Sequence, residues 1–502
     1  MFKVELLYPA GETGNTKKYG MPQDMEKDLN LKVLYDAMAK GDEEIYNACR
    51  QVMTTPITEE KHLRFRQQMV SDAVNNQEFY EEIYRIANEA LKQIEKQGKR
   101  NRESSKTMQI YESLSLLLVL LKYANQLKSH LRSSQAEQTD GMMHFVEQYR
   151  EYYSDDFAED LQQMIEDMSF LMQGGRLVMT AGVSGGLKCG NAIVNCLVPV
   201  DYRQMGKTRQ RLRKVMLRFF SPEAVMLNET ALKQEAALME ENGLHHVVQM
   251  YQGFIKEFQE LFFHLRTQIG FYVGCGNLYR KLRHLNMQAS FPILCRQEGN
   301  VDIRDLYEVS MALTTLKNPV PNSFSDSCRL HVISGANQGG KSTFLRSVGI
   351  AQVMMQAGMF VPATYYEGNL YDNILTHFTR REDCTMNSGR LVEEMKRMDR
   401  IISRITSQSL VLLNESFAST TEKEGSQIAE NIIQALYDSG VHVFIVTHLF
   451  AFASQMYGKK LPQARFFSAE RKDDGTRTFR MIDHEPTETS YGLDLFREIV
   501  GV

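Results

Sequence analysis

A glycine-rich stretch between residues 331 and 349 has the residue types and spacing of a phosphate-binding loop. Gly335, Gly340, Lys341 and Ser342 fit the pattern GxxxxGK[ST], which follows the strand-like RLHVIS and precedes the helix-like TFLRSVGIAQVMMQ. In such a loop, backbone N–H groups close around phosphates at a helix N-terminus, the lysine neutralises charge and the hydroxyl ligates Mg²⁺. The sequence therefore predicts a site for ATP and Mg²⁺.

Two further segments supply side chains that a phosphate site needs for hydrolysis. The apolar run Ser409 to Leu413 ends in Asn414 and Glu415, and the run Val441 to Val446 leads to His448. Glu415 stands where an ABC-type ATPase holds its water-orienting base, and Asn414 stands where an aspartate normally supports the metal through its waters. A histidine at the carboxyl end of a core strand is placed to contact a γ-phosphate, although His448 taken alone is more typical of an ordinary histidine.

Composition limits the class of protein. The 502-residue chain has a formal net charge of −4 and 24% charged residues, so no global charge attracts it to nucleic acid or to a membrane. Its seven cysteines form no CxxC pair, which favours reduced thiols over disulfides or zinc. The aliphatic run Leu116 to Leu121 is too short to span a bilayer. We therefore expect a cytoplasmic protein with no membrane partner.

The elements that must position these residues change in character along the chain. Proline is absent between Pro56 and Pro199 and between Pro222 and Pro292, which permits long helices. Apolar residues recur at steps of three and four from Val247 through Tyr251, Phe254, Phe258, Leu261 and Leu265, a pattern typical of a packed amphipathic helix. Beyond residue 292, short β-branched runs alternate with helical stretches. The sequence thus predicts a helical domain over residues 1–295, with a small β-containing insert near 174–218, and an α/β domain over 296–502.

Positive charge is concentrated in two stretches of the helical part. The stretch RQMGKTRQRLRKVMLR holds no acidic residue and contains Arg203, Lys207, Arg209, Arg211, Arg213, Lys214 and Arg218. A second basic cluster runs from Lys96 to Lys106. Such runs are usually solvated helix faces, and two of them in helical arms also favour contact with nucleic-acid phosphates.

The C-terminal motifs, taken in order, resemble the ATPase domain of the MutS family of DNA mismatch-repair proteins. They are GANQGGKSTFLRSVGIAQVMMQAGMFVPA, LVEEM, SLVLLNESFASTTEKEG, VTHLF and SYGLDLFREIVG. Upstream, ACRQVMTTPITEEKHLRFRQQMVSDAVNN is similar to the start of the family's helical core and lever. The segment from Gly185 to Glu229 is similar to its DNA-gripping clamp. The resemblance covers about residues 296 to 502 most specifically.

The resemblance implies a homodimer that sandwiches two ATP molecules between its P-loop ATPase domains, with helical arms around double-stranded or branched DNA. Glu415 would be the catalytic carboxylate and His448 the γ-phosphate sensor, with Lys341 acting on the phosphates. The loop residues that would line the phosphates are Gly335, Asn337, Gly339, Gly340, Lys341, Ser342 and Thr343. Ser388, in MNSGRLVEEM, would be the signature serine that reaches the partner's ATP. Ser342 and Asn414 would hold Mg²⁺, and Lys207, Arg209, Arg211, Arg213 and Lys214 would contact DNA.

Departures from the family pattern lead to further expectations. The lever-like region begins within about the first 30 residues, so we expect no Phe-x-Glu wedge and no mismatch recognition by that device. We also expect neither a nuclease-like Smr tail nor a C-terminal helical dimerisation segment. Asn414 replaces an acidic residue, which is either tolerated, because an amide oxygen also accepts from metal-bound water, or slows turnover. We favour slow but real hydrolysis.

Two functions remain open on the sequence. The first is a DNA-binding, Mg²⁺-dependent ATPase whose ATP cycle moves helical arms. The alternative is a nucleotide-gated scaffold that binds a protein or RNA assembly with little hydrolysis. A small-molecule kinase with the same loop is disfavoured, because it explains neither Glu415 directly after a buried strand nor the long helical arms.

Overall fold

The computed structural model describes residues 3–12, 14, 17–98, 106–133, 139–172, 176–184, 188–198, 229–295, 299–335, 338–379, 389–472 and 476–487. The chain divides into two units, each compact in itself. The arm unit comprises Met1–Val4, Glu81–Ala136 and Met143–Arg266. The sheet unit comprises Glu5–Tyr80, Glu137–Met142 and Thr267–Val502.

Long helices make up most of the arm unit, as the scarcity of proline predicts. Its elements are α5 (Gln77–Gly98), α6 (Lys106–Ser133), α7 (Asp140–Tyr152), α8 (Asp155–Met172), β1 (Arg176–Ser184), β2 (Lys188–Val198) and α9 (Glu229–His284). Strands β1 and β2 pair antiparallel, with Arg176 opposite Val198, and lie within the region of the predicted β insert. Helices α5, α7 and α9 have residues in both units.

The interior of the arm unit is built from apolar helix faces and a few satisfied polar groups. Tyr251, Phe258 and Leu265 are buried along one face of α9, as their spacing predicts. The hydroxyl of Tyr149, on α7, donates to the carbonyl of Ala124, on α6, at 3.0 Å. The buried hydroxyl of Tyr149 thereby keeps a hydrogen-bond partner, which lowers the free-energy cost of burying it.

The sheet unit combines helices from both ends of the chain with ten strands in its described part. The helices are α1 (Pro22–Asp28), α2 (Leu31–Ala39), α3 (Glu43–Met53), α4 (Glu60–Asn75), α10 (Val309–Thr315), α11 (Lys341–Gln356), α12 (Arg390–Ile402), α13 (Glu422–Asp438) and α14 (Phe450–Gly458). The strands are β3 (Ile293–Leu294), β4 (Val301–Leu306), β5 (Asn322–Asp326), β6 (Leu330–Ser334), β7 (Tyr365–Gly368), β8 (Asn373–Phe378), β9 (Ser409–Asn414), β10 (His442–Val446), β11 (Ala464–Arg471) and β12 (Arg477–Asp483).

These strands form a six-stranded sheet in the order β12-β11-β6-β10-β9-β8 and a four-stranded sheet in the order β3-β7-β4-β5. In the larger sheet only β12 pairs antiparallel with its neighbour. Strand β6 is buried at every residue and β9 at all but its last, as expected where helices cover both faces of a parallel sheet. The described residues thus form a mixed α/β fold with many helices and two mixed sheets, which confirms the coarse fold class. The ABC-type P-loop arrangement stays a prediction.

Parallel pairing brings the carboxyl ends of the central strands to one edge of the sheet. Val446 lies opposite Asn414 in the β9–β10 pair, and opposite Ile333 in the β6–β10 pair. The residues that follow β6, β9 and β10 therefore emerge side by side. Ligands bind at this edge in open α/β sheets.

Residues near the N-terminus pack into the sheet unit rather than standing apart from it. The backbone N–H of Ile57 donates to the carbonyl of Gln356 at 2.9 Å, and the Gln356 amide returns a bond to the Ile57 carbonyl at 3.0 Å. The two compact units are defined by contacts within the folded chain. The predicted boundary at residue 295 is instead based on the change in apolar pattern along the sequence. The two divisions differ for residues 5–80, 137–142 and 267–295, and the domain boundary stays a prediction. None of the described helices has the length and apolar character needed to cross a membrane.

Candidate active site

The glycine-rich loop connects β6 to α11, and two of its glycines adopt backbone conformations that side chains rarely allow. Gly335 has φ 104° and Gly340 has φ 89°. A Cβ on Gly335 would lie 2.7 Å from Ser468 Oγ and 3.2 Å from the backbone N of Ala469, so the position has no room for a side chain. The first and last glycines of the pattern therefore determine how the chain turns from strand into helix.

A cavity of about 750 Å³ lies beside this loop. Its wall includes six of the predicted site residues, Gly339, Gly340, Lys341, Ser342, Thr343 and Glu415. The sheet topology accounts for the meeting, because the loop follows β6 and Glu415 follows β9. Gly335 does not line the cavity, although its carbonyl oxygen accepts a hydrogen bond from the Lys341 ammonium at 2.7 Å.

Lys341 is the first residue of α11 and is 5% exposed. Burial lowers the pKa of its ammonium group, because the charged form loses hydration, and the Glu415 carboxylate opposes part of that shift. A positive charge held in a concave, poorly hydrated site attracts anions strongly, because water screens it less than at the surface.

Glu415 is held by its backbone directly after β9. It has φ 53°, its N–H donates to the Val446 carbonyl at 2.8 Å, and its own carbonyl accepts from the Thr379 hydroxyl at 2.8 Å. A non-glycine residue in this conformation is strained and persists only when its surroundings hold it. These hydrogen bonds fix the backbone of Glu415 at the cavity wall and so limit where its carboxylate can lie.

Three side chains behind Glu415 support the loop. Ser416 Oγ lies 2.7 Å from His377 Nδ1, and the backbone N–H of Phe417 donates to Glu394 Oε1 at 2.6 Å. Phe417 also has a positive φ, 67°. Glu394 lies on α12 and is 9% exposed. The loop that carries Glu415 thus depends on contacts from β8 and α12.

Asn414 ends β9 beside Glu415 but does not line the cavity. Its side-chain Oδ1 is buried and accepts no hydrogen bond from any residue that the structure describes. A buried amide oxygen without a donor carries a free-energy cost that a water or metal-bound water would relieve. The geometry therefore leaves an acceptor available next to Glu415.

The structure does not bring His448 to the cavity. His448 follows β10, its side chain is exposed, and it is not among the cavity-lining residues. Its neighbour Thr447 is buried instead, with its N–H donating to the Ile333 carbonyl at 3.0 Å. The γ-phosphate role of His448 stays a prediction.

Several predicted residues lie outside the described part of the chain. They are Asn337, Ser388, and the basic residues Arg203, Lys207, Arg209, Arg211, Arg213, Lys214 and Arg218. In the second basic cluster, residues 99–105 also lie outside it, whereas Lys96 is an exposed residue of α5. The predicted trans signature and DNA contacts remain predictions.

Sequence reasoning missed cavity residues that come from other elements. Phe479, on β12, has φ 61°, is 44% exposed, and its Cβ would lie 3.5 Å from a Cβ on Gly340. Asn322 fixes this strand by donating to the Phe479 carbonyl at 3.4 Å and accepting from the Met481 N–H at 2.7 Å. Glu308 and Met311, at the start of α10, also line the cavity. No local motif marks these residues, because only the fold brings them to the loop.

Two family models and several curated proteins are similar to this chain. A model described as MutS domain V matches residues 331–500, and one described as MutS2 N-terminal domain matches residues 58–285. "DNA mismatch repair protein MutS 2" of Halobacterium salinarum is 32% identical over 183 residues, which is 36% of this chain and 21% of that protein. "DNA mismatch repair protein MutS" of Thermus thermophilus is 29% identical over 185 residues, 36% of this chain and 22% of that protein. The protein of the same name from Thermotoga neapolitana is 34% identical over 172 residues, 34% of this chain and 21% of that protein.

These pairwise matches span only about a fifth of the length of the curated relatives. The two family models, in contrast, match separate stretches on both sides of residue 300 and occur in the order that the sequence motifs predict. The chain belongs to the MutS family.

Proposed function

We propose that this protein is a Mg²⁺-dependent ATPase that binds DNA and uses its ATP cycle to move its helical arms. The observation that carries the proposal is the single cavity that gathers the loop residues Gly339 to Thr343 with Glu415. A volume of about 750 Å³ falls within the range of small-molecule sites. The phosphate-binding loop and the Glu415 carboxylate, the candidate water-orienting group, line the same cavity. Hydrolysis of a bound nucleotide requires such an arrangement.

The phosphates of ATP fit the loop side of the cavity. The N-terminus of α11, with its positive dipole end, lies at the cavity wall, and Lys341 adds a buried charge. Met311 and the exposed ring of Phe479 also line the cavity, and both suit the flat apolar face of a nucleotide base. We assign the adenine of ATP to these two residues.

The residues present fit Mg²⁺, because two side chains offer oxygen ligands. Ser342 lines the cavity, and Asn414 Oδ1, beside Glu415 in the chain, is buried without a partner among the described residues. The described part of the chain contains no group of three or more His, Cys, Asp or Glu side chains able to hold a metal. A magnesium ion here would thus depend on phosphate oxygens and water, as is usual for this ion at nucleotide sites. Bound there, it would neutralise charge on the phosphates.

Hydrolysis in this proposal rests on Glu415. The carboxylate orients a water for attack on the terminal phosphate and accepts its hydrogen bond, while Lys341 and the loop N–H groups offset the charge of the phosphoryl oxygens. Asn414 brings one negative charge fewer than an aspartate would. We therefore propose slow but real turnover.

DNA binding and dimerisation extend the proposal beyond the cavity. Support comes from the names of the relatives, which are DNA mismatch repair proteins, and from the basic stretch Lys207 to Lys214 in the sequence. Positive side chains without acidic neighbours contact phosphates of duplex or branched DNA with little sequence preference. Two chains meeting through their sheet units would each complete the other's ATP site, with Ser388 as the proposed trans contact.

The test is steady-state ATP hydrolysis by the purified protein, with and without homoduplex, mismatched and branched DNA. We expect Glu415→Gln to retain ATP binding and to lose about 100-fold or more in turnover, and Lys341→Met to lose binding. Glu422→Gln and Lys423→Met, at exposed positions of α13, are matched controls for the same changes of charge. Native turnover in Glu415→Gln would refute the mechanism.

One observation favours the scaffold alternative, namely the amide at Asn414 in place of a carboxylate. In that case the native protein would hold ATP with turnover at background, and Asn414→Asp would restore hydrolysis. Gel filtration with ATP and with duplex DNA separates the two functions. A dimer that forms with ATP and is indifferent to DNA supports the scaffold, and a DNA-bound dimer supports the ATPase.

A further inference from the structure

A second cavity, of about 640 Å³, lies near the N-terminus within the sheet unit. We call it the N-terminal cavity. Residues between Leu7 and Glu26 form one side, α3 and its end form another from Asn47 to Thr55, and Arg66 of α4 contributes to the wall. It shares no lining residue with the cavity at the glycine-rich loop. Nothing in the proposed ATPase mechanism uses it.

Positive charge predominates on its wall. The charged lining residues are Lys18, Arg50, Arg66 and the single carboxylate Glu26. Arg50 and Glu26 neutralise each other through two hydrogen bonds of 2.7 and 2.8 Å. Lys18 and Arg66 are therefore left as an excess of two positive charges.

Arg66 is the unusual member of this wall. It is 1% exposed, and its Nε and Nη2 both donate to the carbonyl of Leu7, at 3.2 and 3.1 Å. Its Nη1 is buried and has no hydrogen-bond partner among the described residues. The Tyr8 ring covers the guanidinium at 4.6 Å. A ring face and one carbonyl offset only part of the charge.

No described carboxylate forms an ion pair with Arg66. Glu12 lies near, since its partner His62 packs edge-on against Tyr8 at 5.2 Å, but Glu12 pairs with Lys61 and His62. An arginine stays protonated at any ordinary pH, so it cannot relieve its burial by losing a proton. A buried charge without a counter-ion is costly, and such a group calls for a bound ion or water.

We propose that the N-terminal cavity binds a small phosphate monoester, with Arg66 Nη1 and Lys18 contacting the phosphate. A dianion matches the excess of two positive charges, whereas a monocarboxylate would leave one of them uncompensated. The cavity has the size of small-molecule sites and therefore admits an organic group as well as the phosphate. Leu7, Tyr8 and Val52 offer that group an apolar wall.

The test is titration calorimetry on the 502-residue chain carrying Lys341→Met, a change that is expected to disable phosphate binding at the glycine-rich loop. The probes are inorganic phosphate, phenyl phosphate and benzoate, the last being a monoanion with the same ring. We expect saturable binding of phenyl phosphate, at least about tenfold tighter than that of benzoate. The result does not depend on the proposed ATPase function, because that site is already removed.

Two neighbouring lysines provide a matched pair of variants. Lys18 and Lys17 are both exposed, and only Lys18 lines the cavity. Lys18→Ala should weaken binding of phenyl phosphate at least about tenfold, and Lys17→Ala should leave it unchanged. Arg66→Gln should abolish binding of phenyl phosphate. If the Arg66→Gln protein does not fold, the comparison of Lys18→Ala with Lys17→Ala still tests the proposal. Absence of saturable binding, equal losses in Lys17→Ala and Lys18→Ala, or equal affinity for benzoate and phenyl phosphate would each overturn the proposal.

Discussion

At the scale of single residues, the candidate active site depends on charges placed where water is scarce. Lys341 is buried, and its ammonium group donates a hydrogen bond to the Gly335 carbonyl. The Glu415 carboxylate attracts this positive charge and so opposes part of the lowering of the Lys341 pKa. The type and spacing of both residues could be predicted from the sequence. The lowered pKa of Lys341 could not, because it results from burial, which only the folded chain determines.

The lowered pKa of Lys341 predicts how ATP binding depends on pH. Below that pKa the side chain is an ammonium that attracts phosphates, and above it the side chain is neutral, so affinity for ATP should fall as pH rises through the lowered value. Equilibrium binding of a fluorescent ATP analogue from about pH 7.5 to about pH 10 measures this. Lys341→Arg stays charged throughout that range and should show weaker binding with a flat profile. The same decline in both proteins would assign the titration to another group.

At the scale of elements, the apolar runs identify the strands, and parallel pairing explains why their ends meet. Ser409 to Leu413 and Val441 to Val446 were predictable as core strands, and β9 and β10 contain them almost completely. A parallel sheet then places Asn414 and the loop after β6 at one edge. Phe479 and Glu308 were not predictable, since they reach the cavity from β12 and α10, far away in the sequence.

Helix α12 contacts both the loop that carries Glu415 and the end of β8. Glu394 accepts from the Phe417 N–H, and one turn later Arg397 donates to the Phe378 carbonyl at 2.7 Å and pairs with Asp28. Two buried charged side chains on one face thus tie α12 to the ends of β8 and β9. A helix held in this way can fix the position of Glu415 without touching nucleotide.

Replacing Glu394 should therefore lower turnover while leaving ATP binding in place. Glu394→Ala removes the acceptor for Phe417, so the strained loop relaxes and kcat for ATP falls by up to about 100-fold, with little change in KM. Glu394→Gln keeps an acceptor oxygen and should retain most of the activity. Glu393→Ala, on the same helix, is the control. A Glu394→Ala protein with native kcat and a lowered melting temperature would show that the contact serves stability alone.

For the chain as a whole, the domains predicted from the sequence differ from the compact units of the structure. The sequence predicts that residues 5–80 belong to the helical domain, whereas in the structure they pack into the sheet unit. Asp28 accepts from the Thr376 hydroxyl at 2.8 Å and from the Phe378 N–H at 3.3 Å, so it caps the end of β8 from a distant part of the chain. Periodicity predicts which face of a helix is buried but not which partner covers it.

The sheet unit also contains a titrating group that should govern its stability in mild acid. Burial, together with positive charge at His331 and Arg329, lowers the pKa of His442 from 6.5 to about 4. Burial alone would raise the pKa of Asp326, but hydrogen bonds from His331 and Arg465 lower it to about 2. Asp326 therefore loses its stabilising contribution only below its unfolded value of 3.8, whereas His442 titrates at higher pH.

Between pH 6.5 and about 4 the unfolded chain binds a proton at His442 that the folded chain excludes, so the free energy of unfolding falls as pH falls through this window. The shift corresponds to up to about 3 kcal/mol. Urea midpoints at about pH 7.5 and about pH 5 measure the loss. His442→Gln should narrow the difference between the two midpoints, because the variant has no proton to exclude. His284→Gln, at an exposed position of the same unit, should leave the difference unchanged. If both variants kept the native difference, the acid sensitivity of the sheet unit would have to come from groups other than His442.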